Sequence, residues 1–257
     1  MTYTSQASQP SAGATAAPPL LAGHFRVGDV FRRTGSVLSR HFLTFFIVAL
    51  IVLSPMTLIH QDRTANPGTA QAFMNLGIIL VPATMLNALC SAIILHGAFQ
   101  SMRKRPVNLL ESLKVAFRQF LPLMALALIE FIALMIASIL LIIPGLVLYT
   151  MWLVAMPTCV VERTGPWRSL RRSRELTKGY RWKIFGLILL LLFVTLINPL
   201  IRYALMAAGG ETAAVIGTLI WTAIVSAFYS VVVAVTYYDL RVAKEGIDIE
   251  QIASVFD

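Results

Sequence analysis

Apolar runs of bilayer length alternate with short stretches rich in arginine and lysine along this chain. Six runs stand out, at residues 42–59, 73–96, 121–143, 146–161, 184–201 and 213–238. A helix needs about 20 mostly apolar residues to cross roughly 30 Å of hydrocarbon, and inside lipid only helices and closed barrels satisfy their own backbone. These runs are too long and unbroken for barrel strands, so they predict helices. The third and fourth are separated only by Pro144 and Gly145. A single helix over both would be about 60 Å long at 1.5 Å per residue, roughly two bilayer cores, so a hairpin is required at Ile143-Pro144-Gly145-Leu146. The expected fold is all-α: a polytopic membrane protein of six transmembrane helices, with short cytoplasmic amphipathic helices between some of them and both chain ends on one side.

The polar stretches have a helical pattern of their own. At 100° per residue, Val27, Val30, Phe31, Thr34, Val37 and Leu38 share one arc, opposite Asp29, Arg32, Arg33, Ser36, Ser39 and Arg40. A second such stretch sets Leu109, Leu110, Leu113, Ala116, Phe117 and Phe120 against Glu111, Lys114, Arg118 and Gln119. A third runs from Trp167 to Lys178, with Pro166 at its start and Gly179 as its stop, each placed where its backbone limits favour it. There Arg168, Arg171, Arg172, Glu175 and Lys178 lie on one arc, and Leu170, Ser173, Leu176 and Thr177 on the other. An amphipathic basic helix followed by a transmembrane hairpin thus occurs three times, a hint of triplication carried by pattern more than by residue identity.

Charge assigns the sides. Of the 21 lysines and arginines, 19 fall before the first run, between the second and third, between the fourth and fifth, and after the sixth; the opposite loops hold only Arg63 and Arg202. By the positive-inside rule the cation-rich face is cytoplasmic, which places both termini inside a bacterial-type cytoplasmic (inner) membrane. Composition agrees, since 58% hydrophobic and 13% charged residues are far from a soluble chain's roughly 25% charged. The net charge of +9 does not point to nucleic acid, because the cations sit beside the membrane without interleaved stacking aromatics.

Residues 1–23 contain no cation and no continuous apolar core, so they do not read as a signal peptide and are expected to be a disordered cytoplasmic tail. Residues 24–240 form the expected membrane domain, and 241–257 an acidic cytoplasmic tail that either docks on the basic loop between spans four and five or is a solvated helix end. Cys90 and Cys159 fall within spans and read as small apolar residues, with no disulfide and no metal site.

Ile143-Pro144-Gly145, then Trp152, Pro157 and Glu162, then Ser169-Leu170-Arg171-Arg172-Ser173-Arg174-Glu175-Leu176-Thr177-Lys178-Gly179 with Trp182 and Phe185-Gly186-Leu187 form an extended motif. Tyr237-Tyr238-Asp239-Leu240-Arg241, followed by Lys244-Glu245-Gly246 and Asp248-Ile249-Glu250, completes it. This pattern resembles the membrane-domain family named after glycerophosphoryl diester phosphodiesterases and is similar to the YciC-like six-helix membrane proteins, over most of the chain from about Phe25 onward. The resemblance implies a helical multi-pass protein. It does not imply hydrolysis, because in the enzymes that give the family its name that activity belongs to a separate soluble barrel.

Catalysis of that kind needs His and carboxylates gathered around a divalent metal. His24, His41, His60 and His96 are scattered over both faces, so the chain reads as a non-enzyme without cofactor. Two features carry other chemistry. Glu130, about nine residues into the third span, would sit near mid-bilayer, so it must face protein or water or stay protonated. No lysine or arginine lies in any span to pair with it; Asn75, Asn87, Asn198, Thr222 and Ser226 are candidate hydrogen-bond partners. It is either a transport-pathway carboxyl or a protonated strut that fixes helix register. Arg103, Lys104, Arg105, Arg168, Arg171, Arg172 and Arg174 are candidate contacts for anionic lipid, or determinants of orientation alone.

Pro82, Pro157 and Asn198-Pro199 are expected to kink or interrupt spans two, four and five. Two functions follow: a non-catalytic scaffold or accessory protein that contacts anionic lipid or a partner through basic interfacial helices, or a small-molecule or lipid transporter with a cavity around Glu130.

Overall fold

The computed structural model describes residues 25–64, 69–103, 105–140 and 142–245, with side chains throughout except at 56–64, 69–80, 138–140 and 142. The expected tail 1–23, the acidic tail beyond Glu245, Lys104, and the side chains of His60, Arg63 and Asn75 lie outside the described residues. The chain is all-helical there, in the order α1 (Val27–Thr64), α2 (Thr69–Met102), α3 (Leu109–Arg118), α4 (Phe120–Leu140), α5 (Ile142–Trp152), α6 (Ala155–Glu162), α7 (Pro166–Thr177), α8 (Arg181–Leu196) and α9 (Asn198–Glu245).

Five stretches of the described residues are long and apolar enough to cross a bilayer: Val27–Pro55, Val81–Met102, Phe120–Ala137, Ile143–Glu162 and Arg181–Glu245. The last is 65 residues long and contains both the fifth and the sixth apolar run. Its second part, α9, breaks at Gly210, where φ is 73°. In a straight helix Leu205 and Gly217 would be about 18 Å apart. Instead a Cβ on Gly217 would stand 2.1 Å from the Leu205 side chain, so the chain doubles back at Gly210. Arg202 and Glu211 close the turn with a 2.8 Å ion pair.

Prolines mark some of the remaining breaks, whereas α1 breaks at His41, where φ is −131° and ψ 23°. Residues 143–146, where a hairpin is expected, are helical and lie within α5. α5 and α6 pack on α4. The fourth run is broken at Leu153 and Val154, where Pro157 has no N–H for the Leu153 carbonyl, and Pro199 likewise separates α8 from α9. Pro82 lies within α2 without ending it, contrary to an interruption there. Pro55 is carried inside α1, where the Ser54 hydroxyl donates to the Ile51 carbonyl, 3.0 Å away, which the proline leaves without its helical donor.

The core sits toward the cation-rich end. Residues 231–238 of α9 are buried on every side, against α1, α2, α6 and α7. Phe45, Ile94, Leu95, Leu176, Ile184 and Leu187 fill the same region. Toward the other end, Ile47, Ile51, Ile136, Ile143, Phe193, Leu196 and Leu200 are exposed, the surface a protein shows to hydrocarbon rather than to water.

Candidate functional site

Two arrangements bring polar chemistry together, one at the cation-rich end and one inside the helical bundle.

At the charged end, α7 begins at Pro166, as the sequence predicts, and ends before Gly179, whose φ of 93° stops it. Its inner face is made of small and apolar residues, Ser169, Leu170, Ser173, Leu176 and Thr177, all buried. Ser173 donates to the Met151 carbonyl at 2.8 Å, just ahead of the break between α5 and α6. The apolar arc of α7 therefore packs on protein, not on acyl chains as a headgroup-lying helix would. α1 does the same with Val30, Thr34 and Val37.

The arginines of this end divide accordingly. Arg172 is half-buried and pairs with Glu162 at 3.3 Å and with Glu245. Arg241 binds Glu245 at 3.0 Å and donates to the Tyr237 hydroxyl at 3.3 Å, which in turn donates to Glu162 at 3.0 Å. Five side chains from α6, α7 and α9 thus close a ring. The first acidic residue of the C-terminal region to follow α9's buried run, Asp239, takes Arg33 of α1 at 2.6 Å, with the guanidinium 5.6 Å from the Tyr238 ring. Lys183 of α8 donates to the Phe25 carbonyl at 2.8 Å, just ahead of α1. Arg171 pairs with Glu175 on its own helix, at 3.2 Å, while Arg168 and Arg174 are exposed. Arg103 ends α2, half-buried, and Arg105 is exposed in the following loop.

α3 is the reverse of α7. Asn108 caps it, accepting from the Leu110 and Glu111 N–H groups at 3.1 and 3.3 Å. Gln100 of α2 accepts from the Asn108 N–H and donates to Glu111, both at 2.9 Å, and His96 meets the Ser112 hydroxyl at 3.0 Å. These bonds hold the side of α3 with small residues, Ser112 and Ala116, against α2, and turn the large ones outward: Leu110 is 76% exposed and Phe117 60%. Lys114 and Arg118 are exposed on the same helix.

Two partly open cavities lie among the described residues of the bundle. The smaller, about 270 Å³, is lined by Glu130 with Thr84, Asn87 and Ser91 of α2 and Ser230 of α9, and by apolar and aromatic walls that include Phe131 and Trp152. The larger, about 470 Å³, holds Thr195, Asn198, Trp221, Thr222 and Ser226. Asn87, Tyr149 and Tyr229 line both. The two tyrosine hydroxyls are 2.7 Å apart and stand where the cavities meet. Glu130 Oε1, Ser226 Oγ, Asn198 Oδ1 and Trp221 Nε1 are buried without a hydrogen-bond partner in the protein.

Of the described partners expected for Glu130, Asn87 shares its cavity, while Asn198, Thr222 and Ser226 line the neighbouring one. The tyrosine pair, Ser91 and Ser230 were missed by the sequence reading. A signal existed, because Thr84, Asn87 and Ser91 recur at helical spacing, as do Thr222, Ser226 and Tyr229. Among the described residues no three His, Cys, Asp or Glu side chains come together as a metal site. No curated protein and no solved structure matches the chain. A family model described as a domain of unknown function (DUF7847) matches residues 110–240, just over half of the 257 residues and the part that contains α7, Glu130 and most of α9, and the chain belongs to that family.

Proposed function

We propose that this is a non-catalytic multi-pass protein of the cytoplasmic membrane, with six spans and both termini inside, that acts as a scaffold or accessory protein by contacting anionic lipid at the inner headgroup layer. The observation that carries the reading is α3, which is bolted to α2 through its small and polar side while Leu110, Leu113 and Phe117 face outward beside Lys114 and Arg118. A helix so oriented suits the boundary between acyl chains and phosphates. Trp167 and Trp182, 72% and 86% exposed at the same end, fit the aromatic belt of such a boundary. Splitting Arg181–Glu245 at Gly210 supports a count of six spans, and the distribution of cations supports the sidedness. The motif resemblance to the phosphodiesterase membrane domains and YciC-like proteins supports the same non-catalytic membrane role.

The test is native mass spectrometry of the detergent-purified protein with lipid identification, on the wild type and on a Lys114→Gln, Arg118→Gln, Arg168→Gln, Arg174→Gln variant that spares the Arg172 ring. Co-purified anionic lipid that is lost from the variant is the expected result. Lipid retained equally by both would reduce these cations to determinants of orientation.

The paired cavities favour a second reading, a transporter whose pathway passes Glu130. Uptake of a permeant solute into proteoliposomes, abolished by Glu130→Gln, is its measurement.

A further inference from the structure

The inner cavity combines features that neither packing nor register explains. Glu130 is a carboxyl on an otherwise apolar stretch of α4, and its Oε1 has no hydrogen-bond partner in the protein. A carboxyl serving only as a strut between helices would be bonded to the neighbouring helix. Instead it faces a chamber of about 270 Å³. That volume far exceeds a bare metal ion, and a hard cation would demand several oxygen ligands where one carboxylate is present. No lysine or arginine lines either cavity, so a phosphate or carboxylate ligand would meet no counter-charge there. Phe131, Trp152, Tyr149 and Tyr229 line the chamber, and aromatic faces attract organic cations as well as apolar groups.

We propose that the Glu130 chamber is a binding site for a lipophilic amine, with the ammonium on the Glu130 carboxylate and Asn87, and the apolar body among Phe131, Trp152 and Met156. A carboxylate and an ammonium held together form a neutral pair, which offsets part of the cost of burying either charge alone. Tyr149 and Tyr229 line this chamber and its neighbour alike, and a volume of about 270 Å³ suits one aryl group with a short alkyl chain. The proposal rests on the cavity that favours the transport reading but requires only binding, not movement.

Isothermal titration of the full-length protein in detergent, corrected for empty micelles, compares 4-phenylbutylamine with its neutral counterpart 4-phenyl-1-butanol. Saturable binding of the amine, at least tenfold tighter than the alcohol, is expected, with Glu130→Gln bringing the amine down to the level of the alcohol. Ala127→Leu, which fills the chamber and keeps the carboxyl, is expected to weaken both ligands. Equal affinity for amine and alcohol, an unaffected Glu130→Gln variant, or no saturable amine binding would overturn the site. If Glu130→Gln does not fold, the amine-to-alcohol ratio and the Ala127→Leu variant decide. Amine uptake into proteoliposomes separates the two readings: binding without uptake keeps the site and ends the transport reading.

Discussion

The two ends of this bundle solve the problem of exposed helix in opposite ways. At the cation-rich end, helices meet through small residues and ion pairs: Ser169 and Ser173 let α7 approach Met151, and Arg172, Glu162, Glu245, Arg241 and Tyr237 close a ring of charge and hydroxyl. At the other end α8 and the first part of α9 carry large apolar side chains outward, such as Leu192, Phe193 and Leu200, around the Arg202–Glu211 ion pair. Lipid tails are as apolar as leucine, so packing protein on protein there gains little over packing on lipid. The lesson is that specificity of assembly is concentrated where water and headgroups begin, because only there does an unmatched partner cost much.

The contrast can be broken most severely at the ring. Arg172→Met leaves the Glu162 and Glu245 carboxylates without their shared cation and should destabilise the fold by about 4 kcal/mol, with part restored by adding Glu162→Gln. Buried Cys90 and Cys159 make a convenient reporter, since a thiol-reactive dye labels them only on unfolding and so gives the melting midpoint in detergent. Next in size, Leu176→Ala on the buried face of α7 should cost about 3 kcal/mol by the same assay. Gly210→Ala forces a side chain into a φ of 73° and should cost about 1 to 2 kcal/mol, felt as a loosened α9 turn and faster proteolysis near Glu211. Smallest of all, Leu192→Ala, a leucine-to-alanine change on the outward face of α8, should shift the midpoint by less than about 0.5 kcal/mol. If Leu192→Ala proved as harmful as Leu176→Ala, that face would be buried against another protein and the two ends would not differ as described.

Much of this architecture is written in local pattern. Apolar runs of bilayer length mark the helices, and Pro166 and Gly179 mark the bounds of α7, because these signals act within a few residues. What local pattern does not carry is the surface an amphipathic arc meets. An arc of Leu, Val and Thr looks the same whether it lies on acyl chains or on α9. Only the small polar members, Thr34 on α1 and Ser169 and Ser173 on α7, distinguish the buried arcs from that of α3, where leucine and phenylalanine dominate. The ring was illegible for another reason: Arg172 and Glu245 are 73 positions apart, so their pairing depends on the whole topology. Glu130 was legible as an anomaly, whereas the cavity it faces arises from two polar stripes on α2 and α9 that become meaningful only when those helices adjoin.

The late position of α9 in the chain has a consequence for biosynthesis. α1 and α7 emerge from the ribosome long before residues 231–238, the surface on which much of the charged end packs, and before Tyr237, Asp239, Arg241 and Glu245, which answer Arg33, Glu162 and Arg172. Until α9 is inserted, α7 rests on α5 and α6 and α1 on α2, Arg172 has Glu162 alone of its two carboxylates, and Arg33 lacks Asp239. The charged end is therefore half assembled while the chain is still being made, and its ring closes only when the final helix arrives.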